Sequence, residues 1–203
     1  MYRLTGRFLS AAAGGHRKTR LHEGTSGELT RQVIADVAAA LGQGRNCLIL
    51  TNWTRHLRAI ADALRDLGHD QVTLKGGMGA KDRAATLARL VPHPSGPPLL
   101  AVATGPYAGE GFDCPPLDTL FLATPVASKG RLLQYAGRIL RPYAGKATAE
   151  VHDYHDELTG VLASSLAKRA PGYTSLGFPD PRKLPYTPSA EIAHPAQPEG
   201  SAE

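Results

Sequence analysis

Cysteine and aromatic residues are scarce in this sequence of 203 residues, and each shortage excludes a class of protein. Two cysteines, Cys47 and Cys114, provide neither a disulfide framework nor the spacing of a metal site. This cysteine usage is typical of a reducing compartment, and we expect a cytoplasmic protein. Aromatic residues make up 6% of the chain, but the total hydrophobic content of 42% is enough for one domain with a real core.

Long apolar runs and the usual nucleotide-binding motif are also absent. No run is long enough to span a bilayer, and no signal peptide follows Met1, so we expect no membrane partner. The phosphate-binding pattern G-x-x-x-x-G-K-[ST] does not occur; the nearest sequence, GGHRKT at 14–19, has Arg17 in place of the second glycine. No predicted strand ends in an acidic pair for Mg²⁺, and we predict no metal site. The sequence therefore contains no complete nucleotide site of its own.

The net charge of +5 is concentrated at the start of the chain. Five of the 23 basic residues precede the first acidic residue, Glu23, and the remaining 18 basic residues balance 18 acidic ones. We interpret residues 1–25 as a basic flexible leader or linker, because they show no periodicity. Such an arm can bind nucleic-acid phosphates, but an inert solvated leader fits the composition equally well.

From residue 26 onward, apolar runs alternate with amphipathic segments. The apolar runs predict strands at 47–51, 71–75, 99–104, 118–124 and 149–154. Helical spacing between them, at 26–41, 55–68, 76–90 and 128–140, with a last helix to about Arg169, predicts an α/β fold: an open parallel sheet with helices on both faces. We assign this domain to 26–170, and interpret the Pro-rich residues 171–203 as a mostly disordered tail.

A glycine-rich turn follows the strand predicted at 99–104. Gly105, Gly109 and Gly111 lie within seven residues, and Asp113 follows them. Glycines allow backbone amides to approach a phosphate closely, and an acidic residue after such a turn can bind a ribose hydroxyl or a water molecule. A long structural loop explains the same spacing equally well.

The stretch LLQYAGRILRP at 132–142 predicts one helix carrying Gln134, Gly137, Arg138 and Arg141. Residues three apart share a helix face, so the two arginines can point at one anion. Guanidinium groups bind phosphate oxygens in a forked geometry, and Gln134 can orient a water molecule or a phosphate oxygen. Gly137 leaves room for a partner's backbone. The arrangement is that of arginine fingers, although a solvated basic helix end, terminated by Pro142, remains an alternative.

Four stretches in order resemble the C-terminal RecA-like domain of superfamily 2 helicases, in the DEAD/DEAH and type III restriction enzyme group: CLILTNWTRHLRAIADAL, LKGGMGAKDR, LLAVATGPYAGEGFDCPPLDTLFLATP and QYAGRILRP. The likeness covers roughly residues 28–155. Q-x-x-G-R-x-x-R resembles helicase motif VI, and A-T-G followed by G-E-G-F-D resembles motif V. The resemblance implies a RecA-like fold of the P-loop NTPase type that lacks its own phosphate loop.

The resemblance implies one group of residues on a nucleotide side: Arg138, Arg141, Gln134, Gly137, Gly111 and Asp113. The two arginines would contact the γ-phosphate of ATP held by another motor domain, with Arg141 as the principal finger and Gln134 beside them. Gly111 and Asp113 would face the nucleotide, and Asp113 would lie near the ribose or link motif V to motif VI.

A second group would form part of a nucleic-acid track. Thr104 and Gly105 would contact the phosphate backbone of DNA or RNA, and Thr51, Gly76 and Gly77 would lie along the same track. Backbone amides and hydroxyls suit this task because they bind phosphates of any base sequence.

The sequence departs from the family pattern because the first RecA-like domain is missing. ATP and Mg²⁺ would therefore be bound mainly by an N-terminal RecA-like ATPase domain supplied in cis or in trans. We expect the chain to be a fragment, a truncated product or one half of a split motor, with no detectable ATP hydrolysis alone. We predict the C-terminal motor domain of an ATP-dependent helicase or translocase. The alternative is a stand-alone, non-hydrolysing module that binds nucleic acid or regulates a helicase.

Overall fold

Six parallel strands form one sheet in the computed structural model, which describes residues 2–8, 27–93, 96–105, 112–124, 126, 128–155 and 160–183. The strands are β1 (Tyr2–Phe8), β2 (Cys47–Thr51), β3 (Val72–Leu74), β4 (Leu100–Thr104), β5 (Thr119–Leu122) and β6 (Ala149–His155). Their order is β1-β6-β5-β2-β4-β3, and every neighbouring pair is parallel. The described helices are α1 (Gly27–Gly42), α2 (Thr54–Asp66), α3 (Ala80–Ala88), α4 (Lys129–Ile139) and α5 (Gly160–Ser175), with a 3₁₀ turn at Pro181–Lys183.

The sheet is covered on both faces, as the apolar runs predict. All five residues of β2 are buried, and the four apolar ones alternate between two cores. Leu48 and Leu50 belong to a core with α4 and α5, whereas Cys47 and Ile49 belong to a core with α1 and α2. A strand with helices on both sides has no polar face, which is why β2 reads as a continuous apolar run. The prediction of an open, doubly covered parallel sheet is confirmed.

The order in which successive strands are added to the sheet changes direction beside β2. The chain passes from β2 to β3 and β4 on one side of the sheet, and then to β5 and β6 on the other. In open α/β sheets, ligands bind at the carboxyl ends of the strands near such a reversal. The residues that follow β2, β4 and β3 therefore lie side by side at the edge where a site is expected.

The flexible leader predicted for 1–25 is wrong for residues 2–8. All seven form β1, in parallel register with β6 from Tyr2 opposite Ala149 to Phe8 opposite His155. Apolar and polar residues alternate along most of this stretch, in the order Tyr2, Arg3, Leu4, Thr5, Gly6, Arg7 and Phe8. This period of two is typical of a strand, and the basic composition of the region obscured it. Residues 9–25 lie outside the described part of the chain.

The predicted domain boundary at residue 170 is also wrong. Helix α5 continues through Pro171 to Ser175. Tyr173 and Phe178 are buried in the core, with their rings edge to face and their centroids 6.2 Å apart. Pro and Gly suggested a tail, but these two aromatic rings bury enough apolar surface to keep residues 171–183 in the fold. The remainder of the predicted tail, 184–203, lies outside the described residues.

A buried ion pair attaches α5 to the sheet. Arg169 donates from Nε and Nη2 to the two carboxylate oxygens of Asp153 on β6, at 2.7 and 2.9 Å, and the Tyr173 hydroxyl donates to the same carboxylate at 2.7 Å. Burial opposes the charge on Arg169, but the Asp153 carboxylate outweighs it and raises the pKa of the guanidinium. Burial, followed by Asp153, holds the pKa of Tyr173 well above its usual value.

None of the described helices has the length and apolar character needed to cross a membrane.

Candidate functional site

The two arginines lie at the end of α4, but only Arg138 belongs to the helix. Ser128 caps the start of α4 by accepting from the Arg131 amide at 3.3 Å, and the last helical residue is Ile139. The prediction that Arg141 lies on the same helix is therefore wrong. A residue before proline is disfavoured in the helical conformation, and Pro142 ends the helix early enough to leave Arg141 in the following turn.

Arg138, Arg141 and Asp113 nevertheless form one group, called here the arginine cluster. Nη1 of Arg141 pairs with a carboxylate oxygen of Asp113, and both side chains are about half exposed. Burial lowers the pKa of Arg138, the nearby charge of Arg141 lowers it further, and Asp113 opposes both effects. Arg141 pairs with this carboxylate, and its amide donates to the carbonyl of Arg138 at 3.5 Å, so the two arginines lie close together. Of the other predicted nucleotide-side residues, Gln134 is exposed and Gly137 half-buried on α4, whereas Gly111 lies outside the described residues.

Lys146 is a part of this site that sequence reasoning missed. Its Nζ donates to the backbone carbonyls of Pro115, Leu117 and Arg141, at 2.9, 2.6 and 3.0 Å. These carbonyls belong to the segment after Asp113 and to the turn containing Arg141. Burial lowers the pKa of Lys146, although Asp118 opposes the shift. No motif signals this role, because the carbonyls it binds are brought together only by the fold.

The predicted nucleic-acid residues lie at the carboxyl ends of three adjacent strands. Gly76 and Gly77 follow β3 in an exposed turn, in which Gly77 has a φ of 82°, a left-handed conformation that favours glycine. Thr104 and Gly105 lie at the end of β4, and Thr51 ends β2. The fold thus brings these five residues to one edge, and their contact with nucleic acid stays a prediction.

The Thr51 hydroxyl is held inside the fold. It lies 3.0 Å from Nδ1 of His56 and accepts from the Trp53 amide at 3.3 Å, and Thr51 is fully buried. Nε2 of His56 lies 3.3 Å from the Thr30 hydroxyl on α1, so this ring connects β2 to two helices. Asn52, which sequence reasoning did not select, is the exposed residue after β2.

His56 gives the stability of the fold a specific dependence on pH. Burial lowers its pKa from 6.5 to about 4, so the folded state favours the neutral ring. Stability is therefore complete above pH 6.5 and falls as the pH drops towards 4, by up to about 3 kcal/mol. Urea unfolding of the wild type and His56→Gln at several pH values measures this. Carboxylates titrate in both proteins, so the result is the difference between the two curves, and parallel curves would contradict the prediction.

Gly105 lies in a tight space against α4. A Cβ atom there would be 2.6 Å from the Tyr135 hydroxyl and 3.0 Å from Oδ1 of Asn52. Tyr135 is itself buried, so its ring has little freedom to move. The end of β4 and the middle of α4 are therefore in direct contact, whereas the arginine cluster lies at the far end of the helix.

Gly105→Ala is expected to destabilise the chain by about 1–3 kcal/mol, because the added methyl group overpacks this contact. Gly137→Ala is the matched control: a Cβ atom there would meet nothing within 4 Å, and alanine in a helix is expected to stabilise by about 0.5–1 kcal/mol. Adding Tyr135→Phe to Gly105→Ala removes the clashing hydroxyl and is expected to restore part of the loss. Urea unfolding measures all four proteins, and equal stability of the two alanine variants would contradict the prediction.

Comparison with known proteins connects this geometry to a family. The sequence model described as "Helicase conserved C-terminal domain" matches residues 28–143, a range that contains the arginine cluster and all five carboxyl-edge residues. A transcript termination protein, A18, of fowlpox virus (strain NVSL) is 29% identical over 143 residues, covering 67% of this chain. The chain spans only 29% of the length of that relative.

Solved structures share the fold. The Escherichia coli DEAD-box protein SrmB, in a structure bound to the regulator of ribonuclease activity A, is 25% identical with a TM-score of 0.55, over 70% of this chain and 79% of that one. T4 UvsW is 20% identical with a TM-score of 0.53, over 86% and 39%. The C-terminal part of the Fun30 ATPase domain is 11% identical with a TM-score of 0.58, over 76% and 48%. The RecA-like fold implied by the motifs is confirmed.

Proposed function

Because the chain belongs to the helicase conserved C-terminal domain family, we propose that it is the C-terminal motor domain of an ATP-dependent helicase or translocase. The observation that carries this proposal is the arginine cluster. Arg138 lies in the last turn of α4, Arg141 follows the helix and pairs with Asp113, and the amide of Arg141 donates to the carbonyl of Arg138, all within the range matched by the family. Two guanidinium groups at one place on a surface are suited to a phosphate group presented by a second domain.

The cluster fits a phosphate but not a metal ion. Arg141 already binds a carboxylate, so an anionic oxygen suits its position, and both partners are exposed enough to be reached. Among the described residues, no group of three or more His, Cys, Asp or Glu could hold a cation. We propose that ATP and Mg²⁺ are bound mainly by an N-terminal RecA-like domain, in cis or in trans.

In this mechanism the chain positions charge. Bound ATP supplies the γ-phosphoryl group whose transfer to water drives the motor. Arg141 leaves Asp113 and donates to a phosphate oxygen, while Arg138, partly withdrawn from water, adds a second positive charge. Such groups act by stabilising the charge that develops during phosphoryl transfer.

On the nucleic-acid side, the carboxyl edge of β2, β4 and β3 supplies part of a track for a single strand of DNA or RNA. The backbone amides of the exposed residues Gly76 and Gly77 are suited to phosphate oxygens, and the exposed Asn52, two strands away, adds a side-chain amide. The Gly105 turn lies between these two positions, because β4 lies between β2 and β3. A track of this kind binds without base specificity.

The test is nucleic-acid-stimulated ATP hydrolysis by the chain alone and after mixing with a separate phosphate-loop RecA-like domain of a related helicase. Single-stranded DNA and single-stranded RNA are used in parallel arms. We expect no turnover alone and stimulated turnover on mixing. Turnover by the chain alone would contradict the proposal. Nucleic-acid binding without turnover in any mixture would favour the stand-alone binding module.

A further inference from the structure

Lys146 satisfies three backbone carbonyls at once, which is the full donor capacity of an ammonium group. Two of them, those of Pro115 and Leu117, follow Asp113 in the chain, and the third belongs to Arg141 itself. Lys146 therefore connects the two segments that supply the opposite partners of the Asp113–Arg141 ion pair. Hydrogen bonds from a charged donor are stronger than neutral ones, so this connection restrains both segments.

A tight turn places Lys146 there. The Lys146 amide donates to the Tyr143 carbonyl at 3.1 Å, which closes a four-residue turn. Gly145, the third residue of this turn, has a φ of 81°, in the left-handed region that other residues rarely adopt. The turn reverses the chain after Pro142 and returns the side chain of Lys146 towards Arg141.

Arg141 benefits from such a restraint because its own contacts in this group are weak. Arg141 lies beyond the last turn of α4, where its amide makes one long hydrogen bond, of 3.5 Å, to the carbonyl of Arg138. Its ion pair with Asp113 is about half exposed. Exposed ion pairs hold a geometry poorly, since solvent competes for both groups. The Lys146 bonds, in contrast, fix backbone atoms, including the carbonyl of Arg141.

We propose that Lys146 is a positioning residue, which preforms the arginine cluster for a phosphate by fixing the Arg141 turn against the Asp113 segment. The proposal rests on the function proposed above for its biological meaning, but it concerns the geometry of the isolated chain. Lys146 touches neither phosphate nor nucleotide in this role; it acts through Arg141. Preformed sites bind more tightly because less freedom is lost on binding.

The experiment measures pyrophosphate binding to the isolated chain by NMR, using the arginine side-chain Nε–Hε signals, with Arg141→Ala to identify the signal that depends on this residue. Lys146→Met is expected to weaken binding by roughly tenfold, the equivalent of losing one charge-assisted restraint. Lys146→Arg keeps the charge and several N–H donors, and is expected to remain within about threefold of the wild type.

A second variant displaces Lys146 without removing it. Gly145→Ala adds a methyl group that meets no atom within 4 Å, so its only effect is strain at a positive φ. We expect it to weaken pyrophosphate binding as Lys146→Met does. Gly44→Ala is the matched control, because Gly44 has a φ of 77° and an equally open position in the turn after α1.

Three results would overturn the proposal. The first is wild-type affinity in Lys146→Met with lower stability, which would make the residue merely structural. The second is an equal loss in Lys81→Met, which removes the same charge from an exposed position on α3. The third is the absence of Arg141-dependent binding in the wild type. None of these measurements requires hydrolysis or a partner domain, so failure of the motor function in the mixing experiment is a separate outcome.

Discussion

Replacing Arg141 by alanine is expected to lower nucleic-acid-stimulated ATP hydrolysis in the mixture with a phosphate-loop domain by about 10³–10⁵-fold. Arg141 is the more exposed of the two arginines in the cluster, and its ion-pair partner Asp113 is about as accessible. An incoming phosphate can therefore displace Asp113 without unfolding anything. Steady-state rates at saturating ATP and nucleic acid measure the change.

Two variants separate this role from a general effect of charge. Arg131→Ala removes an exposed arginine from the first turn of the same helix and is expected to leave the rate nearly unchanged. Arg141→Lys retains the charge but loses the forked geometry, and an intermediate rate is expected. The exposed pair with Asp113 contributes less than about 1 kcal/mol, so the stability of Arg141→Ala should match that of the wild type. Equal rates for Arg141→Ala and Arg131→Ala would exclude the finger role.

Replacing Arg169 by methionine is expected to lower the free energy of unfolding by about 3–5 kcal/mol. Methionine keeps much of the apolar stem but removes both guanidinium hydrogen bonds to the buried carboxylate of Asp153. The carboxylate keeps the hydrogen bond from the Tyr173 hydroxyl. The loss is large because Arg169 is 1% exposed, so no water replaces the missing guanidinium. Domains of this size are stable by about 5–15 kcal/mol in total, so the variant is expected to be marginal.

Urea unfolding measures this loss, with Lys168→Met as the control. Lys168 is the exposed neighbour of Arg169 on α5, and its replacement is expected to change stability by less than about 0.5 kcal/mol. The double variant Asp153→Asn with Arg169→Met removes both charges, and it is expected to be more stable than Arg169→Met alone. A double variant that is less stable than Arg169→Met would show that the cost lies in packing and not in the unpaired charge.

Local pattern predicted the central part of the fold well. The apolar run at 47–51 matches β2 residue for residue, and the run at 99–104 differs from β4 by one position. Both strands are covered on two faces, so nearly every position had to be apolar and the pattern was unmistakable. The short strand β3 keeps three of the five residues predicted for it, because an edge strand needs fewer apolar positions.

The errors occurred where distant parts of the chain determine the structure. Residues 2–8 have the composition of a basic leader, but they form a strand because they pair with β6, which lies far along the chain. Tyr173 and Phe178 lie in a segment with the composition of a Pro-rich tail, but their rings are buried in the core against the sheet. In the site, the prediction of one helix that includes Arg141 was wrong. Helix α4 ends at Ile139, before Pro142, and Arg141 lies in the turn that follows. Lys146 carried no signal at all, since backbone carbonyls have no signature in sequence.

The pairing of β1 with β6 has a consequence during synthesis. Among the described strands, β1 leaves the ribosome first, and its one described neighbour, β6, leaves last. β1 therefore lacks this neighbour until the other described strands have been synthesised. Pairings between residues so far apart in sequence form slowly, because a long loop must close before they gain any contact energy. A nascent chain arrested before β6 would expose β1 as a free strand, and a free strand with alternating apolar residues is prone to aggregation.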